Sequence, residues 1–385
     1  MSPAIKWHMI TGEYPPQAGG VSDYSCVVAR GLAAAGDTVH VYAPENAGIE
    51  PDDDGVRIHR LPGHFGARAL AKLSRSLGRN TNHRLLVQYV PHAFGFKAMN
   101  LPFCLWLYVH TRRYGGAAVI FHEVKLGFRP GDPARYRLLD AVTKLMARLV
   151  ARSAAQIFVA TPVWEPLLRP YIEDGQLITW LPVPSNIAVS GNSAQIAATR
   201  RRYVSACGPI IGHFSSHPPA IAAMLRSVIP RILAASSAST MILIGAHSDT
   251  FRDSLISEYP ELATRVVATG ALPAGELSMA IASCDVMAQP YPDGVTSRRT
   301  SMMAALEHAR AIVTTQGLAT EPLWQQSGAV ALVPAADSSA FASAVGELIG
   351  DHTRRRRYET AAKALYASRF ELCHTIEALR ASVCA

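Results

Sequence analysis

Short apolar runs alternate along this chain with longer stretches in which apolar positions recur at helical spacing. That is the pattern of strands buried on both faces and of helices that cover them. Ile5 to Ile10 reads as a first buried strand. Pro15, Pro16, Gly19 and Gly20 then force an irregular loop, Ser22 caps a helix running to about Ala35, and Gly36 stops it. Thr38 to Ala43 is the next strand, so the chain opens as β-α-β. Ala67 to Arg84 carries Leu70, Leu73 and Leu77 at helical spacing, and Leu85 to Gly95 is a strand breaking into a loop. After an apolar helix, Ala117 to Phe121 is a strand ending at His122 and Glu123. Ala155 to Ala160 and Leu177 to Val183 are strands around a helix from Thr161 to Tyr171 with Pro in its first turn. Pro184 to Tyr203 loses apolar periodicity, carries three consecutive arginines (Arg200 to Arg202), and reads as a join between halves.

From Pro209 the pattern restarts. Strands are predicted over IIGHF, Met241 to Ala246, Val266 to Thr269, Asp285 to Gln289, Ala311 to Thr315 and Ala329 to Pro334. Helices are predicted over Ile221 to Ala235, from Ser338, and from about Arg354 to the end. The expectation is α/β, with a Rossmann-like domain over residues 1–190, a second over 205–365, and a helix over 366–385 crossing back to the first.

The length of 385 residues suits two or three domains, and 49% hydrophobic with 17% charged residues is a globular composition. A net charge of +8 points to anionic partners: nucleotide-linked substrates or phospholipid headgroups. Nucleic acid is not expected, because the basic residues are scattered and form no zinc-finger, RRM or basic-zipper pattern. The six cysteines are far apart, with no C-x-x-C pair, which reads as buried reduced thiols of a cytosolic protein. Met99 to Val109 falls far short of the ~20 residues a spanning helix needs. Lys72, Arg75, Arg79 and Arg84 decorate the helix over 67–84, which reads either as a surface helix with solvated charges or as a basic amphipathic helix in peripheral contact with the inner face of a membrane. Asp52, Asp53 and Asp54, followed by Gly55, read as a turn before a strand, and no metal is assigned.

Chemistry concentrates between Asp285 and Ala305. A strand leads through a Pro- and Gly-bearing loop into a small-residue helix whose first turn is expected to carry Ser297, Arg298, Arg299, Thr300 and Ser301. A helix N-terminus presents unpaired N–H groups and the positive end of the helix dipole, and a loop thinned at Gly294 would let a phosphate reach them. Two arginine forks beside it complete a candidate diphosphate cradle. His122, just past a strand end, stands where open parallel sheets hold their ligands. No G-x-G-x-x-G follows the first strand, which disfavours a nicotinamide-dependent oxidoreductase.

The GEYPPQAGG loop, the His122–Glu123 pair, GHF at the start of the second half, the TGALP turn, DGVTSRRTS and TTQGLATE together resemble the retaining glycosyltransferases of the GT-B fold, family-four group. The resemblance implies two Rossmann-like, doubly wound domains facing across a cleft. It implies sugar transfer from a UDP- or GDP-linked donor to a glycan, glycolipid or small-molecule acceptor, with no other cofactor. Gly19 and Gly20 would touch the donor diphosphate or the acceptor, and His122 would lie near the transferred sugar. Gly270 and Leu272 would line the nucleobase pocket, and Gly294, Val295, Thr296 and Ser297 would supply backbone donors to phosphates and sugar hydroxyls. The family's paired glutamates are replaced by Asp293 and Ser301 when the loop is aligned, or by Thr296 and Ala304 when the next strand is. Its phosphate-binding Arg and Lys are replaced by His213 and Pro218, leaving Arg298 and Arg299 to supply the charge. These departures keep open a second reading, a GT-B-shaped sugar-nucleotide-binding or scaffold protein without catalysis.

Overall fold

The computed structural model describes residues 3–17, 19–48, 55–78, 83–95, 99–125, 133–204 and 208–381. The chain divides into two compact units, Met1–Pro184 with Leu372–Ala385, and Ser185–Glu371.

The first unit is built on seven parallel strands: β1 (Lys6–Thr11), β2 (Thr38–Pro44), β3 (Val56–Leu61), β4 (Arg84–Tyr89), β5 (Ala117–Phe121), β6 (Ala154–Val159) and β7 (Ile178–Trp180). Their order in the sheet is β3-β2-β1-β4-β5-β6-β7. Its helices are α1 (Gly20–Ala34), α2 (Ala67–Leu77), α3 (Leu101–Tyr114), α4 (Ala134–Ser153) and α5 (Glu165–Leu168). Leu73 of α2, Leu107 of α3 and Val150 of α4 bury one face of the sheet. Val28 and Leu32 of α1 bury the other, together with Ile376 and Leu379 of a helix from the far end of the chain, Leu372–Ala381. That helix lies so close to α1 that a Cβ on Gly31 would stand 2.8 Å from Ile376 Cδ1. Arg84 ties it down further, donating to the carbonyl of Arg380 at 2.9 Å.

The second unit has six parallel strands: β8 (Ile210–Phe214), β9 (Thr240–Ile244), β10 (Val266–Ala268), β11 (Val286–Gln289), β12 (Ala311–Gln316) and β13 (Ala331–Pro334), in the order β10-β9-β8-β11-β12-β13. Its helices begin with α6 (Ser193–Tyr203), α7 (Pro219–Ala235), α8 (Ser248–Glu258) and α9 (Ala274–Ala282). They continue with α10 (Thr300–Glu307), α11 (Pro322–Gln326), α12 (Ser338–Gly350) and α13 (His352–Arg369), after which α14 is the Leu372–Ala381 helix just described.

Several boundaries differ from the sequence expectation, each for a local reason. α1 starts at Gly20 with Gly19 as its N-cap, because the Ser22 hydroxyl donates to the Gln17 carbonyl at 2.6 Å instead of accepting from the helix. α2 ends at Leu77, where Gly78 turns the chain at φ +62, and Arg84 belongs to β4. The same helix buries Ala69, Leu73 and Leu77 in the core, so its apolar stripe is not available to a lipid surface. The span Thr161 to Tyr171 is two 3₁₀ turns around a four-residue α5, since Pro166 and Pro170 lack the N–H that would continue a helix. Pro182 likewise follows a shortened β7.

The expected join over Pro184 to Tyr203 contains α6. Asn192 and Gln195 form a capping box at 3.0 and 2.9 Å, so polar cap chemistry starts a helix that has little apolar periodicity. Arg200 then pins α6 to the sheet, reaching Gly208 O at 2.8 Å, Ser283 O at 2.9 Å and Asp285 at 2.7 Å. Cys26, Cys104 and Cys284 are buried thiols and Cys373 is exposed. Asp52, Asp53 and Asp54 lie outside the described residues. Among the described residues no helix is long and apolar enough to cross a membrane.

Candidate active site

In an open parallel sheet the ligand crevice opens beyond the carboxyl ends of the two strands where the winding reverses. The two strand orders put that reversal between β1 and β4 in the first unit and between β8 and β11 in the second. Three of the loops that carried sequence motifs leave from these strands: 12–17 with 19 from β1, 215–218 from β8 and 290–299 from β11.

The loop after β11 is stitched to the loop after β12. Thr315 Oγ1 accepts the Tyr291 amide at 2.7 Å and donates to the Tyr291 carbonyl at 2.6 Å. Val295 N–H donates to Thr315 O at 2.8 Å, and Ala319 N–H to Asp293 O at 2.9 Å. Gly294 stands at φ +87, and a Cβ there would collide with Thr320 Oγ1 and the Gly317 amide nitrogen. The space that glycine leaves is thus filled by backbone, not kept for a phosphate. Ser297 is buried, its amide 3.0 Å from each oxygen of the Glu321 carboxylate and its hydroxyl donating to Glu321 Oε1 at 2.7 Å.

Three of the four expected backbone donors are therefore committed inside the protein: Gly294 to Tyr291 O, Val295 to Thr315 O, and Ser297 to Glu321. The helix also begins later than its composition suggested. α10 starts at Thr300 with Arg299 as N-cap, because residues 297–298 form a turn held by Glu321.

What the loop leaves for a ligand lies on either side of Ser297. Thr296 is buried, yet its hydroxyl has no hydrogen-bond partner among the described residues. Arg298, Arg299, Thr300 and Ser301 are half-buried. The Met302 and Met303 amides of the first turn of α10 both donate to Arg299 O at 3.0 Å, which leaves the Thr300 and Ser301 amides as its open donors. The Arg299 guanidinium lies over the Tyr291 ring at 5.0 Å, and Tyr291 OH is 3.0 Å from Ser301 Oγ. Burial pushes that phenol up to about 12, so it remains protonated. Asp293 is exposed.

His213, expected as a donor-binding residue, is a strut. It is fully buried, donates from Nδ1 to Ala288 O at 2.8 Å and accepts the Ser215 hydroxyl on Nε2 at 2.8 Å. Burial holds its imidazole down to about 3, hence neutral. Both nitrogens are used, so it reaches no ligand. Gly270 stands at φ +64 after β10, with its amide on Ser248 Oγ at 2.9 Å, and Leu272 is half-buried beside it.

In the first unit, His122 follows β5 and is 8% exposed. Its Nε2 donates to Gln88 Oε1 at 2.8 Å, its carbonyl accepts Trp164 Nε1 at 2.9 Å, and the Tyr24 ring packs on it edge-on at 4.9 Å. These contacts fix the imidazole plane and leave Nδ1 as its acceptor nitrogen. Gly19 faces Glu13, whose Oε2 would be 2.6 Å from an added Cβ, while Gly20 faces open space. Sequence reasoning missed the group beside them: His92 lies 3.9 Å from Glu13 and 3.6 Å from Glu123. Burial raises the Glu13 carboxyl, and the hydrogen bond to Glu123 raises the His92 imidazole. Among the described residues no set of three or more metal-ligating side chains converges at either reversal point.

Two family models match the sequence, a glycosyl transferase 4-like domain over residues 19–184 and glycosyl transferases group 1 over residues 208–351. The chain belongs to the glycosyltransferases. Solved structures agree on the fold. HepE of Anabaena, crystallised with UDP and glucose, is 13% identical with a TM-score of 0.74, covering 98% of this chain and 99% of that one. Sucrose-phosphate synthase of Thermosynechococcus elongatus is 15% identical at 0.73, covering 98% of each chain. A UDP-forming trehalose-phosphate synthase of Burkholderia xenovorans, in complex with glucose-6-phosphate, is 10% identical at 0.69, covering 98% and 99%. No curated protein matches in sequence. The two parallel-sheet Rossmann-like units are those of a GT-B glycosyltransferase. In this glycosyltransferase the residue that organises the loop after β11 is Glu321. Its only signal in the sequence was a lone carboxylate in the small-residue stretch TTQGLATE.

Proposed function

We propose that this glycosyltransferase moves a sugar from a nucleotide-diphosphate donor, UDP- or GDP-linked, to a glycan, glycolipid or small-molecule acceptor, with retention of configuration and without a metal. The observation that carries the proposal is the entrance to α10: two half-buried arginines and the Thr300 and Ser301 amides beside the buried, unmatched hydroxyl of Thr296. As the bond between the anomeric carbon and the diphosphate breaks, negative charge grows on the leaving group. Fixed guanidinium forks and a helix N-terminus stabilise that charge without needing a cation. Arg298 and Arg299 act on the leaving diphosphate, and Thr296, Thr300 and Ser301 complete its cradle. Gly270 and Leu272 serve the nucleobase, His122 the transferred sugar, and Gly19 and Gly20 the diphosphate or acceptor. Retention comes from the resemblance alone.

The binding-only reading draws on Ser301, whose hydroxyl, in place of the family's glutamate, is taken up by Tyr291. Donor hydrolysis with a panel of UDP- and GDP-sugars, alongside calorimetric binding, separates the two: turnover supports transfer, and tight binding with no turnover supports the inactive reading. Where turnover is found, Arg298→Ala and Arg299→Ala are expected to lower kcat by about 100-fold each with acceptor KM unchanged. Unchanged rates in both variants would remove the arginines from the mechanism.

A further inference from the structure

We infer that Glu321 is a positioning residue of the donor loop, acting through Ser297. The inference rests on the function proposed above. Glu321 is only 4% exposed, and its carboxylate accepts from the Ser297 amide, from the Ser297 hydroxyl, and on Oε2 from Trp324 Nε1 at 2.6 Å. A buried carboxylate is tolerated only where donors satisfy it, and hydrogen bonds to a charged acceptor are about twice as strong as neutral ones. These donors come from two places: Ser297 lies in the loop after β11, and Trp324 is in α11, where it is fully buried and stacks on Phe370 at 5.9 Å. Glu321 therefore holds the loop to the packed interior of its own unit.

The position of that hold is what gives it a role in the reaction. Thr296 precedes Ser297, and Arg298 and Arg299 follow it, so the three groups of this loop assigned to the diphosphate are within two residues of the pinned amide. Ser297 itself is buried and its hydroxyl already donates inward. A rotation of the loop about Ser297 would swing the Thr296 hydroxyl and both arginines together. Catalysis by fixed donors depends on their being in place before charge develops, so freeing the loop raises the barrier even when the donors survive. The chemistry also demands a carboxylate. Both oxygens face N–H or O–H donors, so the amide group of a glutamine would point its NH₂ at a donor.

The test is Glu321→Gln, compared with Val345→Ala, a core truncation in α12 outside the loop. Glu321→Gln is expected to lower kcat roughly 10- to 100-fold, leave acceptor KM unchanged, and speed hydrogen exchange at the amides of residues 295–299. Val345→Ala should lower the melting temperature with little change in kcat for the folded enzyme. A Glu321→Gln enzyme with wild-type kcat and exchange overturns the inference, as does a loss of kcat matched by Val345→Ala at equal stability. If the wild-type chain turns over no nucleotide sugar, the function proposed above fails. Exchange at residues 295–299 then decides alone whether Glu321 pins the loop.

Discussion

The two carboxyl edges treat the same residue types in opposite ways. In the first unit Glu13 and Glu123 flank a half-exposed His92, and Gly20 faces open space. In the second, Glu321 is buried under its donors and Gly294 is filled by a neighbouring backbone. The histidines differ too, in the kind of partner they have. On the first sheet His8 stacks on its cross-strand partner His40 at 5.0 Å, and Tyr42 stacks on His59 at 4.7 Å. His40 Nδ1 is 2.9 Å from His59 Nε2, so these rings answer one another. In the second unit His213, His217 and His308 each face a backbone carbonyl, at 2.8, 3.2 and 2.7 Å. A group already bound by protein holds its place, whereas a half-exposed one remains open to a ligand or a proton. The second edge is held by its own hydrogen bonds, and the first leaves His92 half-exposed and Gly20 facing open space.

The sharpest way to break this contrast is to add one methyl group to each edge. Gly294→Ala meets both a left-handed backbone and a backbone collision, and is expected to cost about 3 kcal/mol in urea unfolding and to abolish activity. Gly20→Ala has nothing within 4 Å and should stay within about 0.5 kcal/mol. Equal costs would erase the distinction between a closed and an open edge.

A smaller effect should appear with pH. Burial and the neighbouring imidazoles push His8 down to about 3 and His40 to about 4, from an ordinary 6.5, and His59 is lowered too. Lys6, Arg57, Lys72 and His83 add to the positive surroundings. The unfolded chain then binds more protons than the folded one between the two values. Stability is complete above pH 6.5 and falls as pH drops toward 4, by at most about 1.4 kcal/mol per pH unit for each imidazole that must charge. Urea midpoints measured from pH 7 to pH 4.5 should decline, and less steeply in His40→Gln. A flat profile would contradict neutral, stacked rings.

The strands were the most legible part of the sequence, because a strand covered on both faces must be an apolar run, as AAVIF and MILIGA are. Helix ends were less so. α6 has hardly any apolar face and is started by the Asn192–Gln195 cap, so periodicity passed over it, while periodicity carried α2 past the glycine that ends it. At the site, the loops after β1, β8 and β11 leave from strands where the winding reverses, while His122 follows β5 and Gly270 follows β10, and none of their tasks was readable from residue type alone. Gly294 admits Gly317, His213 braces β8, and Ser297 answers Glu321, a residue 24 positions away. Such pairings depend on which loops the sheet order brings together.

The most direct test of the donor-site account is a crystal of the chain with UDP or GDP, whichever binds more tightly. Diphosphate oxygens are expected at hydrogen-bonding distance, roughly 2.7–3.2 Å, from the Thr300 and Ser301 amides of α10, with the Arg298 or Arg299 guanidinium on them. A diphosphate bound elsewhere on the second unit, with the entrance to α10 untouched, would contradict it.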